Sequence, residues 1–564
     1  MLWECIVKAV HLVGVHWTQK SFTMSSMITT TAWVRRGVAA QFPSKYEIDE
    51  EEMGRISKLA RMQLEEAQEG LSAAQDEAME EDDKDEDSIE GSGKQEAQSG
   101  AGTGSKGTED DDVLKEFDLD TYDDDEVDDD GEKATMFGNV QSLAYHQPNE
   151  EDPYLVIPDD EDKNEERDEL QIMPTDNLLL AGKVEDEVAH LEVYVYEDKA
   201  DNLYVHHDIM LPGIPLCLEW LDVPVGGKPN EERTTGNFVA VGTMEPDIEI
   251  WDLDVVDSMY PNAILGQGGQ DKDDKPKKSK KKSKANDEYH TDSVLALAAN
   301  REHRNLLASA SADRTVKLWD LNTTSCAKSY SHHTDKVCSL DWHPKESTVL
   351  LSGSYDRTIV AADMRSPDTK ARWGVDSDVE NVRWDPHDPN YFYVTTDGGM
   401  VYRYDIRNVP ATPAESKPVW SLQAHDASVS SFDINRTIPG FLVTGSTDKE
   451  VKLWNVENDK PSLVVTRKLD VGKVFSTAFA PDPEVSFRLA VAGSKGIVQI
   501  WDASTNGPVR RTFVSRMPDL AGDVPERILG VNDDEEESDD EGAVEGAESA
   551  PTGGRDGWES MDED

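Results

Sequence analysis

The 564-residue sequence is short of cysteine, of positive charge and of long apolar runs. Its four cysteines, Cys5, Cys217, Cys326 and Cys338, are scattered without a CxxC pair, which argues against a zinc site or a disulfide framework and fits a reduced, intracellular chain. No stretch approaches the roughly 20 apolar residues needed to cross a bilayer, so no membrane association is expected. The fairly apolar segment from Leu2 to Trp17 lacks the basic start and small-residue cleavage site of a signal peptide. Lys and Arg number 56 against 116 Asp and Glu, a net charge of −60. Such a chain lacks the counterion-release term that drives binding to free duplex nucleic acid, unless a local basic patch supplies it. Signatures of catalysis are missing too. The glycine-rich run from Gly100 to Gly107 has neither the GxxxxGK[ST] register nor a flanking strand, and there is no GxSxG elbow. His206 and His207 are adjacent on an expected strand, where neighbours point to opposite faces, so joint ligation of one metal is not expected. The reading is of a non-enzyme without metal, cofactor or small-molecule substrate.

The negative charge is unevenly distributed. From Asp76 to Glu132 there are 26 acidic residues against four lysines, and from Val531 to Asp564 there are 15 against Arg555. A third cluster, Asn149 to Glu169, holds 11 acids against Lys163 and Arg167. The two long tracts are poor in apolar residues and cannot bury enough surface to offset ordering entropy. This gives an N-terminal segment (1–46), an amphipathic helix within 47–71 carried by Met53, Ile56, Leu59, Leu64 and Ala67, an acidic disordered region (72–133), a folded body (134–530) and an acidic disordered tail (531–564). One insertion, 262–288, reverses the sign. Its lysines Lys275, Lys277, Lys278, Lys280, Lys281, Lys282 and Lys284 have no aromatic interleaving, which suits nuclear import or contact with phosphates rather than base reading. In the acidic tracts Ser88, Ser538 and Ser560 are candidate sites for an acid-directed kinase.

Within the body one phrase recurs seven times: an apolar run, an acidic or glycine turn, then alternating Val, Ile or Leu ending in an aromatic and an acid. The strongest copies are Leu306 to Asp320, Phe441 to Asn455, Leu350 to Asp363 and Leu489 to Asp502. Anchor positions fall at Tyr196, Trp251, Trp319, Ala362, Tyr404, Trp454 and Trp501. With the insertion removed, most steps approach the roughly 40 to 45 residues of a four-stranded propeller repeat. Three copies share finer spacing: His290, Ser309, Asp313, Trp319; His425, Thr444, Asp448, Trp454; and His333, Ser352, Asp356 followed by Ala362. The intervals are identical, 19, 4 and 6. They resemble the hydrogen-bonded tetrad of WD40 repeats, in which Asp accepts from His, His is bonded to Ser or Thr, and that hydroxyl meets the indole. The expected fold is therefore all-β, a seven-bladed WD40 β-propeller. Val509 to Val514 is a candidate for the last outer strand, in a blade begun near Ala134 to Val156, though spacing leaves open which end completes which blade.

Four further passages carry a family resemblance: Met27 to Gly37 (MITTTAWVRRG), Asn202 to Leu211 (NLYVHHDIML), Pro215 to Trp220 (PLCLEW), and the lysine insertion before Tyr289 to Val294. Together they resemble the periodic tryptophan protein 1 family. The resemblance begins at Met27, which leaves residues 1–26 outside the family pattern. It implies a nuclear, largely nucleolar WD-repeat scaffold needed for ribosome production, monomeric within a larger assembly of pre-ribosomal proteins and rRNA, and linked in some members to chromatin at ribosomal genes. Two alternatives stand beside it. The acidic arms would also suit a histone-binding platform, and Asp363-Met364-Arg365 and Asp405-Ile406-Arg407 resemble the WDxR box of cullin ubiquitin-ligase receptors.

Overall fold

A computed structural model describes residues 26–46, 48, 52–57, 167–186, 188–225, 235–266, 286–366, 370–513, 516 and 525–530. The chain divides into two units, one of residues 48–169 and one of the remainder. In the first, residues 52–57 form a helical turn in which Arg55 pairs with Glu52; the rest of the helix expected over 47–71 lies outside the described residues. Among the described residues no helix is long and apolar enough to cross a membrane.

The other unit is a seven-bladed β-propeller, each blade a four-stranded antiparallel sheet. Blade 1 runs from its inner strand outwards through Ser26–Val34, Asn177–Glu185, Val188–Glu197 and Asn202–Leu211. Blade 2 comprises Pro215–Leu221, Phe238–Thr243, Ile248–Asp252 and Ala263–Leu265. The inner strands of blades 3 to 7 are Val294–Ala299, Val337–Trp342, Val379–Trp384, Ser431–Ile434 and Val474–Phe479. Blade 7 ends on Arg527–Gly530 as its outer strand. A two-stranded parallel ladder, Ser44–Lys45 with Val255–Val256, straps the segment after the first strand to blade 2.

Alternating β-branched and aromatic residues make these strands, and both faces are apolar because every blade is packed between two neighbours. The buried side chains form seven clusters, one at each junction from blade 1–blade 2 round to blade 7–blade 1. The ring is therefore closed, and the outer strands are the edges left at its periphery.

Three expectations change. The first strand of the propeller is Ser26–Val34, not a segment near 134–156, so blade 1 is interrupted by the whole acidic region between its inner strand and Asn177. Trp33 explains the placement. Its indole Nε1 donates to the carbonyl of Ala478 at 3.0 Å, the bond that Trp342 makes to Ala298 at 2.9 Å and Trp384 to Asp341 at 3.2 Å, in each case reaching the preceding blade's inner strand. Secondly, Gly507–Phe513 is a helix that buries Val509 and Phe513 against blades 6 and 7, so the segment from Val509 is not the outer strand. Thirdly, the insertion in blade 2 starts later than 262, since Ala263–Leu265 pairs with Ile248–Ile250 as that blade's outer strand.

Candidate interaction surface of the propeller

In blade 3 the Trp319 Nε1–H donates to Ser309 Oγ at 2.8 Å, and Ser309 lies 2.6 Å from His290 Nε2, while Nδ1 faces Asp313 at 2.9 Å. The chain of bonds assigns the tautomer: Ser309 donates to Nε2, and Nδ1–H donates to the carboxylate. Blade 6 repeats the arrangement, with Trp454 to Thr444 at 2.9 Å, Thr444 to His425 at 2.8 Å and His425 to Asp448 at 2.8 Å. Blade 4 has His333 bonded to Ser352 at 2.8 Å and to Asp356 at 3.1 Å, with Ala362 where the indole would be. Burial lowers the pKa of His290 and His425 despite their carboxylate partners. Burial alone would raise Asp313, but the bonds from His290 and Thr315 outweigh it and hold the group at about 2.

The tetrad serves a turn. Five residues before each anchor the backbone is left-handed, at Arg314 (φ 71°), Arg357 (φ 63°) and Lys449 (φ 70°), where a side chain makes that conformation costly. The tetrad aspartate clamps it, for Asp313 Oδ1 accepts from Thr315 N at 2.8 Å, and Asp356 and Asp448 do likewise for Thr358 and Glu450. Blades 5 and 7 have Gly399 (φ 80°) and Gly496 (φ 70°) at that point and no tetrad. Their anchors bond elsewhere: Tyr404 to Gly374 O at 3.2 Å, and Trp501 Nε1 to Glu526 at 3.1 Å. Trp251 of blade 2 donates to Glu249 two residues back, at 3.1 Å. In blade 1 the register sets Tyr194, not Tyr196, opposite Leu179, the partner of Trp33. Tyr194 donates to Glu192, also two residues back, and so takes the anchor position. Tyr196 instead meets Asp198 at 2.9 Å and Arg488 of blade 7 at 3.0 Å. Both tyrosines lie on one strand face, so sequence alternation could not separate them.

His206 and His207 also depart from expectation. A bulge in the outer strand of blade 1 leaves His206 out of register, and the two Nδ1 atoms come within 2.8 Å. His206 Nε2 is bonded to the Leu170 carbonyl, while burial takes His207 down to about 3. The two rings thus share one hydrogen bond, and among the described residues no third metal-type ligand atom groups with them. Among the described residues, one trio brings metal-type ligand atoms within 4.8 Å: His425, Asp448 and Glu450. The first two are tetrad members, and Glu450 is paired with Lys452 at 3.4 Å and Lys468 at 3.7 Å, so ligation would dismantle the turn. The arginines of the WDxR-like passages close on their own aspartates, Arg365 on Asp363 and Arg407 on Asp405, each at 2.8 Å. The lysines Lys275 to Lys284 and the serines Ser88, Ser538 and Ser560 lie outside the described residues.

Sequence reasoning missed the axis. Six inner strands carry one residue out of register near their start, and these residues, Thr29, Leu216, Leu295, Cys338, Glu380 and Phe475, line a cavity of about 320 Å³. Further along, the inner strands are laced together by side chains. Glu219 accepts from Ala299 N at 3.2 Å, Asp341 from Trp384 N at 2.7 Å and Asp433 from Phe479 N at 2.8 Å, each reaching the next blade. Burial takes Asp341 up to about 6 and also raises Asp433. Only inter-blade register could have shown this, because the acids look like solvated alternation in the sequence.

The WD domain, G-beta repeat family matches residues 282–320, 324–361 and 416–455, which contain the tetrad His, Ser or Thr, and Asp of blades 3, 4 and 6. The chain is 49% identical over 520 residues to an uncharacterised WD repeat-containing protein of Schizosaccharomyces pombe, covering 92% of this chain and 97% of that protein. It is 37% identical to Periodic tryptophan protein 1 of Saccharomyces cerevisiae, covering 88% and 91%. Against the Periodic tryptophan protein 1 homolog of Drosophila melanogaster the identity is 31%, with 66% and 77% covered. With propeller, tetrads and near full-length likeness together, the chain belongs to the periodic tryptophan protein 1 family of WD-repeat proteins.

Proposed function

We infer that this protein is a non-catalytic nucleolar scaffold that holds components of large-subunit precursor particles during ribosome production, with rRNA or pre-ribosomal proteins as partners. The observation that carries the reading is the 37% identity to Periodic tryptophan protein 1 along 88% of the chain, which spans the propeller and not one repeat. The geometry supports a platform. The recurrent His and Asp groups are all used in holding turns, and a closed ring presents rigid surfaces at low conformational cost. The lysine run supplies nuclear import or phosphate contact, and the acidic arms attract basic ribosomal proteins. Sedimentation of tagged protein through a gradient, with and without ribonuclease, tests the reading. Ribonuclease-sensitive co-migration with pre-60S material is expected, whereas ribonuclease-resistant co-migration with chromatin, or with a cullin adaptor, overturns it.

A further inference from the structure

Pairing registers place Arg35, Arg301 and Arg436 at equivalent points just beyond the inner strands of blades 1, 3 and 6. All three are exposed and line the axial cavity at the mouth where the inner strands end. Blades 1, 3 and 6 are spaced around the ring, so the guanidinium groups surround that mouth and do not share one side of it. Arg383, on the inner strand of blade 5, lines the same cavity and donates to the carbonyl of Val382 at 2.9 Å. The acids nearby are otherwise engaged: Asp341 and Asp433 accept backbone N–H groups, and Glu219 does the same while pairing with Arg301 at 2.7 Å. Among the described residues Arg35 and Arg436 have no ion pair. Around the cavity the four arginines Arg35, Arg301, Arg383 and Arg436 face the three acids Glu219, Glu380 and Asp433, a small positive excess in a chain of net charge −60, and at the mouth Arg35 and Arg436 keep guanidinium donors for a ligand. Charge elsewhere is screened beyond about 8 to 10 Å at ordinary salt.

The lining decides between polyanions. Recognition of single-stranded nucleic acid relies on exposed aromatic faces for base stacking. Here Trp33, Trp220, Phe432 and Phe479 are each no more than 9% exposed and packed between blades, and Phe475, on the axis, is 7% exposed. A cavity of about 320 Å³ admits side chains and not a duplex. We propose that this arginine-ringed mouth docks an acidic peptide segment of a partner protein, whose Asp and Glu carboxylates enter between Arg35, Arg301 and Arg436. The proposal goes beyond the ribosomal reading and stands whichever particle carries the partner.

Fluorescence anisotropy on the full chain tests it, with a short labelled Glu/Asp/Ser/Gly peptide and a labelled oligouridine of equal length as probes. The peptide should bind, more weakly as salt is raised. Arg35→Glu with Arg436→Glu should weaken it by roughly tenfold or more, since like charges then face each other. A charge-matched pair on exposed lysines of the outer strands of blades 4 and 6 (Lys370–Gly374 and Lys460–Arg467), Lys370→Glu with Lys460→Glu, should change it little. Far-ultraviolet circular dichroism verifies that both variants fold. The proposal fails if the native chain does not bind the peptide, if both pairs weaken it equally, or if oligouridine binds in preference through Arg35 and Arg436.

Discussion

Trp319 is 1% exposed, and its indole both fills the junction of blades 2 and 3 and ends the bond chain through Ser309 to His290. Trp319→Ala should cost roughly 3 to 5 kcal/mol in denaturant titration. Trp319→Phe keeps most of the volume and should cost about 1 to 3 kcal/mol, because it leaves buried tetrad groups short of a partner. A Trp319→Phe variant as stable as the native chain would mean that the bond chain contributes nothing. The tetrads also set a pH dependence. His290 and His425 titrate below their unfolded value of 6.5, so the unfolded chain binds more protons and stability falls as pH drops below about 6.5. Asp313 adds stability that is present above its unfolded value of 3.8 and is lost as pH falls towards about 2. Both act in the same direction, whereas the raised carboxyls Asp341 and Asp433 oppose them as pH falls, so the test is a difference: between pH 6.5 and 4 the melting temperature of His290→Gln should fall less, or rise more, than that of the native chain. The three tetrads were legible because 19, 4 and 6 repeat without change. Tyr194 and the His206–His207 contact were not, since each depends on pairing register and a bulge.

At the scale of elements, the strand Arg527–Gly530 holds more than one edge of blade 7. Glu526, just before it, accepts from Trp501 and Asn506 of blade 7 and pairs with Arg467 of blade 6 at 3.0 Å. Arg527 donates to the carbonyl of Asp198 in blade 1 at 2.7 Å and also pairs with Asp201. Two successive residues thus tie three blades across the point of closure. Truncation after residue 530 should leave the melting temperature within a degree or two, whereas truncation after 524 should lower stability by about 2 to 5 kcal/mol, as expected when partnered charges and a buried indole lose their acceptor. Equal melting temperatures for the two truncations would refute the clasp. Most strands could be read from period-2 alternation. The first and last could not, because Ser26–Val34 is separated from its partner strand by the acidic region and Arg527–Gly530 has too little pattern of its own.

For the whole molecule, the charge of −60 and the propeller answer different questions. The ring packs through its seven inter-blade clusters, and the acidic tracts bear on solubility and on basic partners. Replacing Lys277, Lys278, Lys280, Lys281 and Lys282 together by Ala should shift a fluorescent fusion from nucleus towards cytoplasm, since these residues are the one dense basic run in the sequence. Unchanged nuclear accumulation would remove the import role. The same variant should keep its melting temperature, because the run falls between the outer strand of blade 2 and the inner strand of blade 3.

The sequence alone determined the repeat number, the tetrad members and the absence of familiar catalytic motifs, because these rest on local spacing that recurs from copy to copy. Only the tertiary structure decided how the ring closes, which tyrosine anchors blade 1 and where positive charge gathers. Those depend on residues far apart in the chain: Trp33 reaches Ala478, Arg527 reaches Asp198, and Arg35 joins Arg301 and Arg436 only when the blades close around one axis.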